Sequence, residues 1–322
     1  MSSRRTEVPE MVRRKAVALG PAGHRWLAQL PSLLSTLEGE WGIHIGAAFA
    51  GGSAAYVAPA LTAQGRDVVL KVALPDGLEG NSPFATELRT LTLGAGRGLV
   101  EVLERAADGR AIVMERLGPA LTTLGWPVES QIDAIADTVS QVWHRPGPGH
   151  GLRSGKEQAQ WLAEFVRTTW DALGRPCPAA TVEQAVQHAA RRADAFDATT
   201  AVLIHGDAHP ANVLVDPVAG ADPPSFKLID PDGMLSEPAH DLGVMLRDWS
   251  AELLAADALE VGRAWCARSA ARTGADAQAI WEWAFVERVS TGLFLTRLGE
   301  PHGRQLLEVA ARWTAPPQGI RP

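Results

Sequence analysis

The chain has 322 residues, enough to bury one large core or two ordinary ones. Hydrophobic residues make up 46% and charged residues 21%, and 30 Lys and Arg stand against 37 Asp and Glu, a net charge of −7 that excludes a global basic field for nucleic acid. Two cysteines, Cys177 and Cys266, far apart and without CxxC spacing, exclude a disulfide scaffold and a cysteine-rich zinc site.

Apolar runs are short and none reaches the roughly 18 residues of a membrane span. Arg4, Arg5, Arg13, Arg14 and Lys15 precede an apolar stretch, Ala16–Leu19, too short for a secretory signal, so a cytoplasmic protein is expected. Residues 1–116 hold 13 basic and 12 acidic residues, whereas residues 117–322 hold 17 and 25. The acidity therefore belongs to the second part, either as a solvated surface or as a cleft suited to a cationic small molecule. Nothing in the sequence sets an oligomeric state.

The pattern changes character near residue 117. Before it, β-type runs are expected at 43–49, 54–61, 67–73, 100–105 and 111–115, separated by turn signals such as Gly51-Gly52, Gln64-Gly65 and Asp108-Gly109. One helix, about 84–93, lies between the third and fourth runs. After Gly118-Pro119 the chain reads as helical. Ile132, Ile135, Ala136, Val139 and Val142 follow helical spacing in 129–143, and Trp161, Leu162, Phe165, Val166 and Trp170 repeat it in 157–173. Later helices are expected at 238–255, 258–273, 277–299 and 303–314, with short strands at 201–205, 213–216 and 226–229. The expected fold is α+β and bilobal: a small N-terminal β-sheet lobe with one helix over 1–116, and a larger, mainly helical C-terminal lobe over 117–322.

The most polar motif is His205-Gly206-Asp207-Ala208-His209-Pro210-Ala211-Asn212, set between apolar Val202-Leu203-Ile204 and Val213-Leu214-Val215. A loop between two buried strands can turn Asp207 and Asn212 toward one cavity. Phe226-Lys227-Leu228-Ile229 then leads to Asp230, a second acid at a strand end. Oxygen donors on Asn212 and Asp230, with Asp207 beside them, suit Mg²⁺ and a phosphate group. Upstream, Lys71 sits mid-strand in Val68-Val69-Leu70-Lys71-Val72 and is one of only four lysines. A buried ammonium needs a partner, and Glu87 on the following helix is the natural one.

H-x-D-x-x-x-x-N followed by a strand and Asp resembles the phosphoryl-transfer loop of the protein-kinase fold, although Asp230-Pro231-Asp232 replaces D-F-G and Gly206 the usual Arg. H-G-D with I-D resembles instead the small-molecule kinases of the aminoglycoside phosphotransferase superfamily. Ile229-Asp230-Pro231-Asp232-Gly233, then Glu237 and His240-Asp241, is similar to the streptomycin 6-kinase and hydroxyurea kinase branch, as are Glu87-Leu88-Arg89, Gly96-Arg97-Gly98 and Glu115-Arg116-Leu117. The resemblance covers most of residues 40–250.

It implies an ATP- and Mg²⁺-dependent kinase acting on a hydroxyl of an antibiotic, streptomycin or a related aminocyclitol first. Hydroxyurea or another small hydroxylated metabolite is the alternative, and a nucleotide-binding pseudokinase the second. Asp207 would be the catalytic base, Asn212 and Asp230 the metal ligands, and Lys71 with Glu87 the phosphate grip. Gly51, Gly52 and Ser53 would approach phosphates, and Glu115 to Leu117 would form the adenine-binding hinge. His205 would support the catalytic loop and Asp241 brace it, and Asp232 and Glu237 would receive a cationic substrate. His205 and His209 could alternatively bind metal, as in a metal-dependent hydrolase, but four-residue spacing without a third ligand is a weak site. Tryptophans 249, 265, 281 and 283 read chiefly as core.

Overall fold

Strand alternation along Asp67–Ala73 organises the first of two compact units, Met1–Gly118 and Pro119–Pro322; the computed structural model describes residues 7–50, 55–75, 82–217 and 224–314. A five-stranded antiparallel sheet has the order β1-β2-β3-β5-β4, from β1 (Ile43–Ile45), β2 (Ala55–Thr62), β3 (Asp67–Ala73), β4 (Val102–Arg105) and β5 (Ala111–Glu115). In β3, Leu70 and Val72 face one way and Lys71 the other, since successive side chains alternate. Lys71 pairs in register with Val57 on one side and Ile112 on the other.

The Leu70 face is covered by two helices that the sequence reading does not anticipate, α1 (Glu10–Ala18) and α2 (Pro21–Trp41). Val12, Ala16, Leu30, Leu34 and Leu37 join Tyr56, Ala58, Leu70 and Val72 in one core. Pro31 inside α2 masks the helical signal, because proline removes a backbone donor and normally breaks the pattern. Among the described residues the first unit therefore holds three α-helices rather than one. The third, α3 (Pro83–Gly94), starts where Ser82 accepts a hydrogen bond from the Ala85 N–H at 3.1 Å and Pro83 supplies a preset first helical residue.

The second unit is built round α10 (Ala277–Arg297), buried on nearly every side from Ala279 to Leu293 and so enclosed by its neighbours. Packed on it are α5 (Gly155–Ala172), α6 (Ala179–Ala195), α7 (Pro238–Met245), α9 (Ala258–Thr273) and α11 (His302–Thr314). α4 (Val128–Val142) packs on α9, where Arg268 grips Asp133 through two 2.7 Å bonds. Gly243 lets α7 approach α10 closely; a Cβ there would stand 2.5 Å from Trp283 Cβ and 2.7 Å from the Ala284 nitrogen. Trp281 and Trp283 are both buried, and Trp283 stacks on His240 with ring centroids 3.6 Å apart.

Two small antiparallel sheets stand against these helices: β6 (Val202–Ile204) with β9 (Met234–Ser236), and β7 (Val213–Val215) with β8 (Phe226–Leu228). The single helix expected over 238–255 is broken into α7 and α8 (Ser250–Leu254). Trp249 takes a left-handed backbone, φ 56°, at the break. The buried Arg288 guanidinium on α10 holds it open, donating to the carbonyls of Leu246 and Asp248 and, at 2.8 Å, to Ser250 Oγ. A side chain from another helix thus satisfies carbonyls that a continuous helix would have satisfied itself.

Candidate active site

In the first unit the Lys71 ammonium donates to Glu87 Oε1 at 2.5 Å, and only 5% of Lys71 and 7% of Glu87 are exposed. Strand β3 supplies the lysine and α3 the acid, so the pair ties the sheet to the helix on the face away from α1 and α2. At the end of β5, Glu115 turns its carboxylate to the Glu101 backbone N–H at 2.8 Å, and Leu117 is buried. Gly51, Gly52 and Ser53 lie outside the described residues.

In the second unit β6 and β7 carry the two ends of the polar loop. Asp241, fully buried on the first turn of α7, accepts from the backbone N–H groups of His205 at 3.0 Å and Gly206 at 2.7 Å, and from Trp143 Nε1 at 3.0 Å. Its two oxygens therefore fasten the start of the loop. Gly206 has φ 81°, and a Cβ would lie 3.1 Å from Met234 Cε, so the turn demands glycine. His205 is buried with both ring nitrogens used: Nδ1 accepts from the Asp207 N–H at 3.1 Å, so Nε2 carries the proton and donates to the Ile229 carbonyl at 2.9 Å. Burial lowers its pKa, against the opposing pull of Asp241 and Asp207, and so favours this neutral form.

Beyond the turn, Asn212 Nδ2 donates to the Asp207 carbonyl at 3.0 Å and approaches Asp207 Oδ2 at 3.3 Å. This orients the amide, leaving Oδ1 as the outward acceptor. The Ile229 N–H binds the Asn212 carbonyl at 3.0 Å, which brings Asp230 alongside. Asp230 adopts φ 57°, an unusual left-handed conformation for a residue other than glycine. Among the described residues no cluster of three or more His, Cys, Asp and Glu is set to hold a metal, and His205 has no nitrogen to spare. An amide oxygen on Asn212 and a carboxylate on Asp230, whose backbones the Ile229–Asn212 bond brings together, are a small, hard oxygen set. That fits Mg²⁺, which takes one or two protein ligands and completes its shell with phosphate and water.

A family model described as aminoglycoside/hydroxyurea antibiotic resistance kinase matches residues 40–299, which include Lys71, Glu87, Asp207, Asn212, Asp230 and Asp241. The chain belongs to this kinase family. It is 28% identical over 243 residues to a streptomycin 6-kinase of Streptomyces glaucescens, with 75% of each chain covered. It is 27% identical to a hydroxyurea phosphotransferase of Kitasatospora aureofaciens, over 73% of this chain and 66% of that one. Among solved structures, a thermostable aminoglycoside phosphotransferase APH(4)-Ia in ternary complex with ADP and hygromycin B superposes with a TM-score of 0.56. It is 15% identical, and 89% of this chain and all of that one are covered. The fold is thus kinase-like, with a small antiparallel sheet lobe and a mostly helical lobe, and the chain is a phosphotransferase of the kinase type.

Two acids expected to receive substrate have different surroundings in this kinase. Asp232 is exposed beside the loop. Glu237 is engaged by its own chain, accepting from Trp283 Nε1 at 2.9 Å and pairing with Arg192 at 3.3 Å. Nearby Glu282 is buried among Arg191, Arg192, His188 and Gln278. Burial alone would raise its pKa, but hydrogen bonds from these partners and the Arg192 charge hold it down to about 2. The sequence reading missed Trp143, Arg247 and Arg288, which reach the loop or its supports from distant positions. Arg247 ion-pairs directly with Asp207. Only the break after α7 brings it there, and nothing in the spacing of 238–255 signals that break.

Proposed function

We propose that this kinase transfers the ATP γ-phosphoryl group to a hydroxyl of streptomycin or a closely related aminocyclitol, inactivating it. The observation that carries the reading is the Asp207–Asn212–Asp230 arrangement, fastened by Asp241. Asp207 orients the acceptor hydroxyl and takes up its proton late in the transfer. Asn212 Oδ1 and the Asp230 carboxylate would hold Mg²⁺, which when bound offsets charge on the transferring phosphate.

In the nucleotide-binding part, residues 1–116, Lys71 held by Glu87 grips the α- and β-phosphates. Gly51 to Ser53 offer backbone N–H groups, and backbone atoms of 115–117 meet the adenine. The catalytic and substrate-binding part is 117–322, where His205 and Asp241 support the loop and exposed Asp232 faces a cationic substrate. Most of the rate gain comes from positioning and electrostatics.

One observation favours hydroxyurea, a small neutral acceptor, as the second reading. Glu237 is already neutralised by Arg192, so less of the acidity of this part remains for a cationic ligand.

The test is ADP release by purified protein with Mg-ATP, alone and with streptomycin, hydroxyurea and a panel of aminoglycosides. Streptomycin-dependent release is expected. Release with hydroxyurea alone selects the second reading, and failure to bind ATP overturns both.

A further inference from the structure

The Asp207 carboxylate is held on two sides, and His209 Nε2 stands 3.7 Å from Oδ2 as a further neighbour. Arg247 Nη2 donates to Oδ1, and Asn212 Nδ2 stands 3.3 Å from Oδ2. The guanidinium is not a loose surface group: it projects from residues 246–249, the break between α7 and α8. There Arg288 fixes two backbone carbonyls, and Trp249 is left-handed. Burial works against the positive charge of Arg247, but Asp207, Glu287 and half-buried Asp248 together outweigh it.

A free carboxylate on a loop turns about its last side-chain bond and offers either oxygen. One clamped at Oδ1 by a planar cation offers only the other. An arginine suits that task, since it cannot lose its proton and therefore never competes as an acid or base.

We propose that Arg247 is a positioning residue, which fixes Asp207 through Oδ1 so that Oδ2 is the oxygen that meets the acceptor hydroxyl. The inference rests on Asp207 serving as the base of the reading above. Oδ2 keeps a lone pair for the hydroxyl beside the Asn212 amide. Arg288 extends the chain of support one step further: it shapes the break, the break aims Arg247, and Arg247 aims Asp207.

The test compares Arg247→Lys, Arg247→Met and Arg247→Ala with wild type, using Mg-ATP and whichever of streptomycin or hydroxyurea wild type phosphorylates. In Arg247→Met, kcat is expected to fall about 10²-fold, the scale of a small misplacement of a reacting group. ATP affinity and the acceptor KM should change less than about twofold, since ground-state binding is untouched. Arg247→Lys should fall between. Guanidinium chloride, below denaturing concentrations, should restore part of the rate of Arg247→Ala and none of that of Asp207→Asn. Undiminished kcat in Arg247→Met, or loss of ATP binding in step with kcat in both Lys and Met variants, overturns the proposal.

If wild type phosphorylates neither acceptor, the substrate reading fails, and the pair is judged without substrate. Thermal midpoints of Arg247→Met, Asp207→Asn and the double variant then form a cycle. Non-additive shifts are expected, and additive ones overturn the proposal.

Discussion

Trp143 Nε1 and the His205 backbone N–H share one oxygen of Asp241, Oδ2, each at 3.0 Å, while the Gly206 N–H takes the other. A helix in the first part of the second unit is thereby joined to the polar loop through a single buried carboxylate. Asp241→Asn keeps the size but leaves one acceptor oxygen and turns an NH₂ group toward N–H donors. It should cost about 3 kcal/mol, as loss of charge-assisted bonds does. Trp143→Phe, which removes one donor, should cost about 1 kcal/mol. Urea unfolding midpoints measure both, and equal midpoints for the two variants would contradict the three-donor account.

Removing Lys71 takes a 2.5 Å charged bond from the buried Glu87 carboxylate. Lys71→Met should destabilise the first unit by about 3–5 kcal/mol, whereas Lys71→Met with Glu87→Leu should recover most of that by letting apolar groups pack together. Neither variant should bind ATP. Thermal denaturation with and without ATP checks this: a double variant no more stable than the single one would show that the acid is solvated.

Asp207→Ala should lower kcat by about 10²–10⁴-fold, the range for a lost general base, with far less change in the acceptor KM. Steady-state kinetics on the identified acceptor decide it.

Glu282 ties stability to acid pH. Its folded pKa, about 2, lies below its ordinary value of 4.5, so the stabilisation is complete above 4.5 and is lost as pH falls from there toward 2. The amount is on the order of 3 kcal/mol. Glu282→Gln should be less stable at pH 7 and should show a flatter decline across that window. Chemical denaturation at several pH values would expose an unchanged slope, the result that contradicts it.

Cys266 is buried and Cys177 half-buried. Burial pushes Cys177 up to about 11 and Cys266 up to about 12, so neither holds appreciable thiolate at pH 8. A thiol-reactive chromophore should label the native protein very slowly and both cysteines in denaturant; rapid native labelling would place one of them in an open environment.

Much of this was readable in the chain. Asp67–Ala73 and Ala111–Glu115 declare themselves as strands by apolar runs between turn residues, and α9 begins and ends at its expected positions because Asp257 caps it and Gly274 stops it. The loop motif carried Asp207, Asn212 and Asp230 without any structure. What stayed hidden has physical causes. α6 buries Thr181, Ala185, His188 and Ala189, residues too small or polar to trace an apolar stripe. α2 is disguised by Pro31. The break at 246–249 is imposed by Arg288 from α10, a tertiary contact that overrides local helix preference.

The covering of β3 by α1 and α2 comes almost wholly from outside the family match. The family match begins at residue 40, so Val12, Ala16, Leu30, Leu34 and Leu37, which seal the rear of the sheet, all lie upstream of it. Residues 40–299 expressed alone would present Tyr56, Leu70 and Val72 to water as one contiguous oily patch, and such patches drive self-association. In this chain the rear of the lysine strand is kept from water by sequence upstream of the matched residues.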